Sequence, residues 1–515
     1  MIRTGLALLA VVLSAIAVFG AVRLATADES VQVSRNTVVN PPTPIDANNS
    51  PSLTRNPRSP QELAATHRVD RPTYSASLDW SIDGGATWQP TPLPLPQGKD
   101  RPFAPDVAFG PDGTLFVTYV NLQGPGNVPE NLWVSSSTDG GRSLSDPVMV
   151  AGRLAFQPRI AVGADGAVHV VWLQGSEVGL LALAGPPSPV VASRSTDGGR
   201  TFSVPVRVSD TQRELVGAAS PVIDSKGQLV VLYEDFKDDR RDFSNLDGPP
   251  WDNPFTLVLT RSTDGGASFS PGVEVERDVI ATRRFLVFLP EFPSLAAGPD
   301  DNLYASWADG RNGDEDVFLR RSSDGGRTWS APVRVNDNPT KDGTTQYLPR
   351  VATAPDGRVD VVFLDRRRDR DNNMTDATLA SSHDRGRSFT NYRISSSSFD
   401  ARVGPVVATQ FGVDFGSRLA LSAGKEDSLA LWTDTRLGTA DTGRQDVVAV
   451  AYKVSRPTSA IVRVPVIAGL MVLAFLALGG SWFLGRRPLA AVGDVSEESA
   501  ELPADMPRPS PLIDE

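Results

Sequence analysis

The stretch Ser322-Ser323-Asp324-Gly325-Gly326-Arg327-Thr328-Trp329 decides the fold, because the chain repeats it. Six copies share the pattern Ser-x-Asp-x-Gly-x-Thr/Ser, followed by an aromatic or apolar residue. Their aspartates are Asp83, Asp139, Asp197, Asp264, Asp324 and Asp384, at successive separations of 56, 58, 67, 60 and 60 residues. A nearly constant period of this length indicates an array of similar units that stack on one another.

Each copy of this turn repeat has the residues of a β-hairpin turn. Glycine adopts positive φ without steric cost, and Asp and Ser or Thr can bond the amides of the turn itself. The aromatic residue then starts the next strand and packs against the sheet. Alternating apolar residues flank the copies, as in Val333-Arg334-Val335. We therefore predict that each copy connects a third strand to a fourth, and that its aspartate is structural.

A second repeat precedes most of the turn repeats. It reads Pro-x-apolar-Ala, then a Gly/Asp turn, then an apolar strand that ends in an aromatic residue. The instances are Pro105–Tyr119, Pro158–Trp172, Pro221–Tyr233, Pro293–Trp307, Pro349–Phe363 and Ser417–Trp432. This repeat supplies strands one and two. Four strands repeated six times predict an all-β fold, a six-bladed β-propeller over residues 73–456.

The two ends of the array must meet to close the ring. Ser75–Trp80 and Val447–Lys453 both have the pattern of a third strand. The simplest closure docks an N-terminal strand beside the last blade. Which strand each end contributes stays open at this stage.

Composition excludes several classes of function. The 515 residues contain no cysteine, which excludes disulfides, zinc–thiolate sites and thiol nucleophiles. Only three histidines occur, and the net charge of −11 disfavours a general nucleic-acid binder. Acidic loops around Asp314 and Asp369 contain oxygen ligands for calcium, but they lack the spacing of a calcium loop and are interleaved with arginine. We predict no metal, no cofactor and no nucleic-acid partner.

The N-terminal segment bears on the compartment. Residues 1–27 combine Arg3, an apolar run from Gly5 to Val22, and the small residues Ala25 and Ala27. This pattern is typical of a secretory signal peptide, and an uncleaved anchor is the alternative. Residues 28–72 are rich in Pro, Asn and Ser, and we predict a disordered linker there.

The C-terminal segment predicts a membrane anchor. Residues 464–484 contain no charge and are followed by Arg486 and Arg487, which is typical of a transmembrane helix with its C-terminal end in the cytoplasm. Residues 485–515 form an acidic, Pro-rich tail that we predict to be disordered. The sequence thus predicts a protein of the cell membrane, with the propeller outside the cytoplasm and one C-terminal span, or a second one at the N-terminus.

The turn repeats resemble the Asp-box, or BNR, repeats of the sialidase superfamily, over about residues 74–455. This resemblance implies a six-bladed propeller whose ligand site lies on the face opposite the Asp boxes. The site would hold the starts of the first strands and the loops after the second strands. Glycan recognition and glycoside hydrolysis are the functions that it implies.

Charged residues recur at those positions. Second strands end in an aromatic-x-Asp-x-Arg pattern, which supplies Asp309, Arg311, Asp365, Arg367, Asp434 and Arg436. First strands supply Arg159, Arg350 and Arg418 at equivalent positions. Guanidinium groups clamp carboxylates in two-pronged geometry, so these residues are candidate ligand-binding residues for an anion or a carbohydrate. The alternative is a ring of structural Asp–Arg pairs that tie one blade to the next.

Sialidases use an arginine triad, a Tyr–Glu nucleophile pair and an Asp acid/base, and the resemblance implies these roles here. The best register places Glu291-Phe292-Pro293 where the family has Arg-Ile-Pro. Tyr347, Glu291 and Asp309 are the candidate catalytic residues. Two functions follow as hypotheses. One is a membrane-anchored propeller that recognises carbohydrate or protein ligands at the cell surface, and the other is an exo-glycosidase of sialidase type.

Overall fold

A computed structural model describes residues 23–25, 30–124, 127–176, 188–236, 254–280, 292–405, 413, 415–455 and 459–461. Within residues 30–455, the described strands form seven antiparallel sheets around a common axis, and in six of these sheets the strand order follows the chain. The propeller lies within residues 29–456. The prediction of an all-β propeller is therefore confirmed, and the prediction of six blades is wrong.

The strand bounds define the blades. Blade 1 contains Asn48–Arg55, Leu63–Val69, Ser75–Ser81 and Gln89–Pro92; blade 2 contains Pro102–Phe109, Leu115–Gln123, Val128–Ser137 and Val148–Ala151. Blade 3 contains Ala155–Val162, Val168–Gln174, Val190–Ser195 and Val206–Arg207; blade 4 contains Val216–Ile223, Leu229–Asp235, Phe255–Ser262 and Val273–Val279. Blade 5 contains Ser294–Ala297, Leu303–Asp309, Asp316–Ser322 and Val333–Arg334; blade 6 contains Gln346–Thr353, Val359–Asp365, Met374–Ser382 and Thr390–Arg393, with Phe399–Asp400 beside its third strand. Blade 7 contains Ala420–Ser422, Ser428–Asp434 and Asp446–Ser455, completed by Ser30–Val33 and Thr37–Val38.

The first strand of each blade is the innermost one. First strands of successive blades contact one another, and that of blade 7 contacts that of blade 1, so the ring is closed. Apolar side chains fill the space between neighbouring blades, and the indoles of Trp172, Trp307 and Trp432 are fully buried there. The first strands therefore line a central channel.

The blade that the sequence analysis missed lies in the segment predicted to be a linker. Residues 48–55 and 63–69 are the first two strands of blade 1, so the linker prediction for 28–72 and the propeller start at residue 73 are wrong. Pro51-Ser52-Leu53-Thr54 carries the same pattern as Pro293-Ser294-Leu295-Ala296, with Thr54 in place of alanine. His67 stands where the second strands of the other blades carry an aromatic residue. These polar substitutions hide the repeat.

The N-terminal strands close the ring as a clasp, by which we mean Ser30–Val33 and Thr37–Val38. Both strands pair antiparallel with the third strand of blade 7, Asp446–Ser455. Asn40 extends this contact, because its Nδ2 donates to Asp446 Oδ1 at 3.0 Å and its Oδ1 accepts from the amide of Val447 at 2.7 Å. Blade 7 therefore has no hairpin between a third and a fourth strand, which is why seven blades carry six turn repeats.

Each turn repeat connects the third strand of its blade to the fourth. In blade 5, Ser322 Oγ donates to Asp324 Oδ1 at 2.7 Å, and Thr328 donates to the same carboxylate through its amide at 3.0 Å and its hydroxyl at 2.6 Å. Burial opposes the effect, but these bonds lower the pKa of Asp324 to about 2. Gly326, at φ 86°, donates its amide to Ser322 Oγ at 2.7 Å. The carboxylate thus binds the turn and not a ligand.

The chain ends that flank the propeller form a separate two-stranded sheet. Arg23–Ala25 pairs antiparallel with Ser459–Ile461. Of the predicted leader over residues 1–27, only residues 23–25 are described, and the span at 464–484 and the tail at 485–515 lie outside the described residues. Within the described ranges no helix has the length and apolar character needed to cross a membrane.

His169 gives the propeller a specific sensitivity to acid. Its side chain is buried in the second strand of blade 3, against Gly266 in the turn of blade 4. Burial first, and then the charge of Arg194, lower the pKa of His169 to about 4. Because the unfolded chain takes up this proton near pH 6.5, stability is complete above that pH and decreases as the pH falls toward 4. We expect a loss of about 2–3 kcal/mol across this interval from His169.

Urea unfolding at pH 7 and pH 4.5 measures this dependence. His169→Gln is expected to have a smaller difference between the two pH values than the wild type. Equal differences in the two proteins would show that His169 is not the group responsible.

Candidate functional site

A bulge shapes the first strand in five of the blades. The register shifts at this bulge, and one residue in each adopts a left-handed backbone conformation. These residues are Ser50, Ala104, Gln157, Ala218 and Leu348, with φ between 48° and 55°. Bulges re-aim the side chains that follow them and occur often next to binding sites.

In these five blades the residue two positions after the bulge occupies an equivalent position, which Ser294 and Arg418 hold in blades 5 and 7. We call these residues the channel ring: Ser52, Asp106, Arg159, Ser220, Ser294, Arg350 and Arg418. Three of them receive a backbone amide from the next blade. The amide of Ile160 donates to Asp106 Oδ2 at 3.1 Å, that of Leu295 to Ser220 Oγ at 3.2 Å and that of Val351 to Ser294 Oγ at 3.1 Å. Small acceptors in the ring therefore link the blades.

Five residues of the ring enclose a cavity in the channel. Its volume is about 60 Å³, and it is lined by Ser52, Asp106, Arg159, Arg350 and Arg418 together with the adjoining first-strand backbone. Since one water molecule occupies about 30 Å³ of liquid, this space fits about two waters or one carboxylate group. The three arginines that the sequence analysis selected as ligand-binding candidates thus meet at one place.

Asp106 is the one carboxylate among the described residues that line the cavity. Its Oδ2 lies 3.5 Å from Arg159 Nε, and its Oδ1 accepts from Ser52 Oγ. Arg418 donates from Nε to the carbonyl of Pro51 at 3.4 Å and from Nη2 to that of Pro105. Three guanidinium groups against one carboxylate leave the cavity with a surplus of two positive charges.

The pKa shifts reflect this surplus. Burial and then the charge of Arg159 lower the pKa of Arg350 to about 10, and the same two causes lower the pKa of Arg418 well below its ordinary value. Burial alone would raise the pKa of Asp106, but Arg159 and Arg418 hold it below its ordinary value. The guanidinium groups repel one another, and an anion between them would relieve that repulsion.

Arg159 has a buried hydrogen-bond donor that lacks an acceptor among the described residues. The residue is 6% exposed, and within the described part of the chain its buried Nη1 has no hydrogen-bond acceptor. A buried donor without an acceptor costs about 1–3 kcal/mol, and more when the group is charged. An arginine in this state is suited to bind an oxyanion.

The aromatic-x-Asp-x-Arg residues have a different arrangement. Each aspartate is buried and accepts the backbone amide of the arginine two residues later, with a salt bridge between the two side chains. Each arginine also contacts a residue of the preceding blade, either in its last strand or in the connection after that strand. The contacts are Arg311 with Glu276, Arg367 with Asp337, and Arg436 with Ser396. These contacts match the alternative in which Asp–Arg pairs tie one blade to the next.

In two blades, an asparagine or glutamine stands where blades 4 to 7 have the aspartate of this pattern. Hydrogen bonds from tryptophan indoles explain the exchange. Trp307 Nε1 donates to Asp309 Oδ2 at 3.2 Å, and Trp432 Nε1 donates to Asp434 Oδ2 at 3.0 Å. In blade 3, Trp172 Nε1 donates to Gln174 Oε1 at 2.9 Å, and in blade 2, Trp133 Nε1 donates to Asn121 Oδ1 at 2.9 Å. The position accepts an indole proton, which an amide oxygen does as well as a carboxylate. This equivalence also indicates a structural role.

Two of the candidate catalytic residues, Tyr347 and Asp309, are not among the residues that line the cavity. Tyr347 is 1% exposed and packs between blades 6 and 7, where Arg366 Nη2 donates to its hydroxyl at 3.3 Å. Asp309 is engaged by Trp307 and Arg311, as above. Glu291 lies outside the described residues. No group of three acidic or histidine side chains in the described ranges is arranged to hold a metal ion.

Sequence reasoning missed Asp106 and Ser52 as site residues. Both follow the proline of the strand-one repeat, in Pro105-Asp106 and Pro51-Ser52, which is the position that Arg159 and Arg350 occupy in their blades. Reading that position around all blades would have identified them.

No protein-family model and no curated protein matches this chain. Among solved structures it is similar to the Hadza microbial sialidase Hz136, at 15% identity over 77% of this chain and 73% of that one, with a TM-score of 0.43. It is also similar to a Trypanosoma rangeli sialidase (14% identity, 84% of this chain and 59% of that one, TM-score 0.40) and to an ulvan lyase (11%, 83% and 95%, 0.48). The propeller described above rests on this chain's own strands, and these likenesses assign it no activity.

Proposed function

We propose that this protein is a membrane-anchored, extracellular propeller that binds an acidic carbohydrate without turning it over. The ligand's carboxylate would occupy the cavity between Arg159, Arg350 and Arg418. The observation that carries the proposal is the convergence of three guanidinium groups on a space the size of a carboxylate, with Asp106 as the single counter-charge. Guanidinium forks match the planar oxygen pair of a carboxylate.

Binding without turnover is favoured by the position of the candidate catalytic groups. The hydroxyl of Tyr347 and the carboxylate of Asp309 are both engaged inside the blades. A general acid or a nucleophile must come within hydrogen-bond reach of the reacting atoms. The arginines supply affinity for an anion and no group that would transfer a proton at neutral pH.

Titration calorimetry with galacturonic acid and with galactose tests the proposal. The wild type is expected to bind the acid and not the neutral sugar, and Arg350→Met is expected to lower the affinity at least tenfold. Arg402→Met, at an exposed ion pair with Asp400, is the matched control and should bind as the wild type does. Equal affinity for both sugars would contradict the proposal. Turnover of a fluorogenic sialoside that Arg350→Ala abolishes would contradict the non-enzymatic part.

Arg350→Met also has an expected effect on stability without ligand. The lowered pKa of Arg350 means that the folded protein disfavours its charge at pH 7. Removing that charge is expected to raise the free energy of unfolding by roughly 1–3 kcal/mol.

Arg367→Met is the control of opposite sign, since it leaves the buried carboxylate of Asp365 without its arginine and should destabilise the protein. Urea unfolding measures both variants. Destabilisation by Arg350→Met would show that Arg350 is part of the scaffold.

For the anchor, we propose that the N-terminal segment is retained. Arg23–Ala25 pairs with Ser459–Ile461, and cleavage after Ala27 would remove the first of these strands. The pairing supports a chain that enters and leaves the outer compartment side by side, with Arg3 and Arg486 both on the cytoplasmic side. Mass spectrometry of the protein purified from membranes is expected to find residues 1–27 attached. A mature N-terminus at Asp28 would contradict retention.

A further inference from the structure

A second cavity, of about 360 Å³, lies on the propeller face opposite the turn repeats. We call it the Arg71 pocket. It is lined by Asp70, Arg71, Pro72, Thr73, Tyr74, Arg101, Asn127 and Pro405. These residues belong to connections that follow second strands or precede first strands, in blades 1, 2 and 7. Its volume is in the range of small-molecule sites and fits a sugar unit.

The pocket has a surplus of positive charge. Among the described residues that line it, Asp70 is the one acid, and it is already engaged, because Arg68 Nη2 donates to it at 2.6 Å and Asn49 Nδ2 at 2.9 Å. Arg101 is held in place by Asn127 Oδ1 and by the carbonyl of Gly124. Within the described part of the chain Arg71 makes no ion pair. Arg101 Nε also lies 3.6 Å from the exposed carboxylate of Asp100. Arg71 therefore adds a positive charge that no carboxylate of the described residues pairs with.

An aromatic ring and a strained backbone accompany these charges. Tyr74 lines the pocket and is braced by Phe103, whose ring lies edge-on at 5.3 Å. Arg101 and Asn127 both adopt the left-handed conformation, with φ of 51° and 50°. For arginine this conformation is costly, and such strain collects at ligand sites. Aromatic and charged groups together suit an acidic sugar, which has both a ring face and an anionic group.

Arg68 connects this pocket to the channel cavity. It is 4% exposed, bonds Asp70 of the pocket, and its guanidinium lies 5.4 Å from the centre of the Phe103 ring. It is also close enough to Arg418 of the channel ring for its charge to contribute to the lowered pKa of that residue. The two cationic sites are thus neighbours on one path of contacts.

We infer that the Arg71 pocket is a second anion subsite, and that the ligand is an oligosaccharide with at least two acidic sugar units. One acidic group would lie in the channel cavity and another beside Arg71 and Arg101. This inference rests on the proposed function, because it takes the channel cavity as the first subsite. Linking two sites in one ligand raises the affinity without any new contact in either site.

Calorimetry with the full-length protein in detergent, titrated with galacturonic acid and with its oligomers of two to six units, tests the inference. At one oligomer length the wild type is expected to bind at least tenfold more tightly than it binds the monomer. Arg71→Gln is expected to remove that gain and to leave the monomer affinity unchanged. Arg350→Met is expected to weaken both. Arg142→Gln, an exposed arginine on the turn-repeat face, is the matched control and should change neither.

The outcomes separate the two proposals. If Arg71→Gln binds the oligomers as the wild type does while Arg350→Met weakens them, the second subsite is wrong and the proposed function stands. If Arg71→Gln weakens the monomer as much as the oligomers, the pocket is not a separate subsite and the inference is wrong. If no acidic saccharide binds the wild type, the proposed function itself is overturned. Because Arg71 is partly exposed and makes no ion pair with a described residue, the thermal midpoint of Arg71→Gln should match the wild type.

Discussion

Replacing Arg358 with methionine is expected to lower the free energy of unfolding by about 3–5 kcal/mol. Arg358 is 1% exposed and lies between blades 6 and 7. Its Nη2 donates to Asp360 Oδ2 at 2.8 Å in its own blade, and across the boundary to the carbonyl of Gly424 at 2.9 Å and to Ser428 Oγ at 2.8 Å. The side chain therefore joins two blades next to the closure of the ring.

The loss of stability comes from the buried carboxylate of Asp360, which the substitution leaves without its arginine. Asp360 is fully buried, and without Arg358 the donors that its carboxylate keeps among the described residues are the hydroxyls of Ser381 and Tyr452. Burial raises the pKa of Tyr452 well above its ordinary value, so this residue stays a neutral donor and does not supply the lost charge. A buried carboxylate that has lost its cation is strongly destabilising.

Urea unfolding of three proteins separates this mechanism from simple loss of packing. Arg358→Met should unfold far earlier than Arg402→Met, whose ion pair with Asp400 is exposed and should have no measurable effect. The double variant Arg358→Met with Asp360→Leu should recover much of the loss, because it also removes the unpaired charge. A double variant less stable than Arg358→Met would show that packing, and not charge, determines the effect.

A disulfide across the clasp is expected to raise the free energy of unfolding by up to about 5 kcal/mol. Gln32 in the clasp and Lys453 in blade 7 are Cα partners in the antiparallel pairing. Bridging them through Gln32→Cys and Lys453→Cys closes a loop that contains nearly the whole propeller. The stabilisation grows with loop length, since the cross-link removes more conformational freedom from the unfolded chain when the loop is longer.

The chain offers a clean background for this measurement, because it contains no cysteine of its own. The oxidised protein is expected to unfold at a higher urea concentration than its reduced form and than either single-cysteine variant. Identical midpoints for the oxidised and reduced forms would contradict a clasp that must separate during unfolding. Deleting residues 30–38 is expected to have the opposite effect and to broaden the unfolding transition, because blade 7 then loses its outer strands.

The sequence predicts the repeated unit of this fold well and the number of units poorly. The turn repeats around Asp83 to Asp384 are local, and each contains the residues that bond its own amides. The predicted number of blades is one too small because blade 1 was not recognised. In that blade Thr54 and His67 replace the alanine and the aromatic residue of the other copies. The number of turn repeats also underestimates the number of blades, because blade 7 is completed by strands from the N-terminus and needs no turn repeat.

For the candidate site, too, the sequence identified some of the residues and not others. Arg159, Arg350 and Arg418 can be selected from their equivalent positions after the strand-one proline or its counterpart. Asp106 has that position too, yet its importance depends on its being the one acid, among the described residues of the cavity, beside three arginines. No sequence pattern indicated the Arg71 pocket. Arg71 lies in a stretch whose composition indicates a linker, and Arg101 and Asn127 belong to different connections.

The all-β class, the four-stranded unit, the six hairpin turns and the positions of the three channel arginines follow from the sequence alone. These properties depend on residues within one period of the repeat, where strand alternation and turn chemistry act locally. Blade 1 is local as well, but Thr54 and His67 hide its pattern, so the folded protein was needed to recognise it. The clasp and the channel cavity required the tertiary structure for another reason, because they join residues hundreds of positions apart, such as Gln32 with Lys453 and Asp106 with Arg418, which meet only when the ring closes.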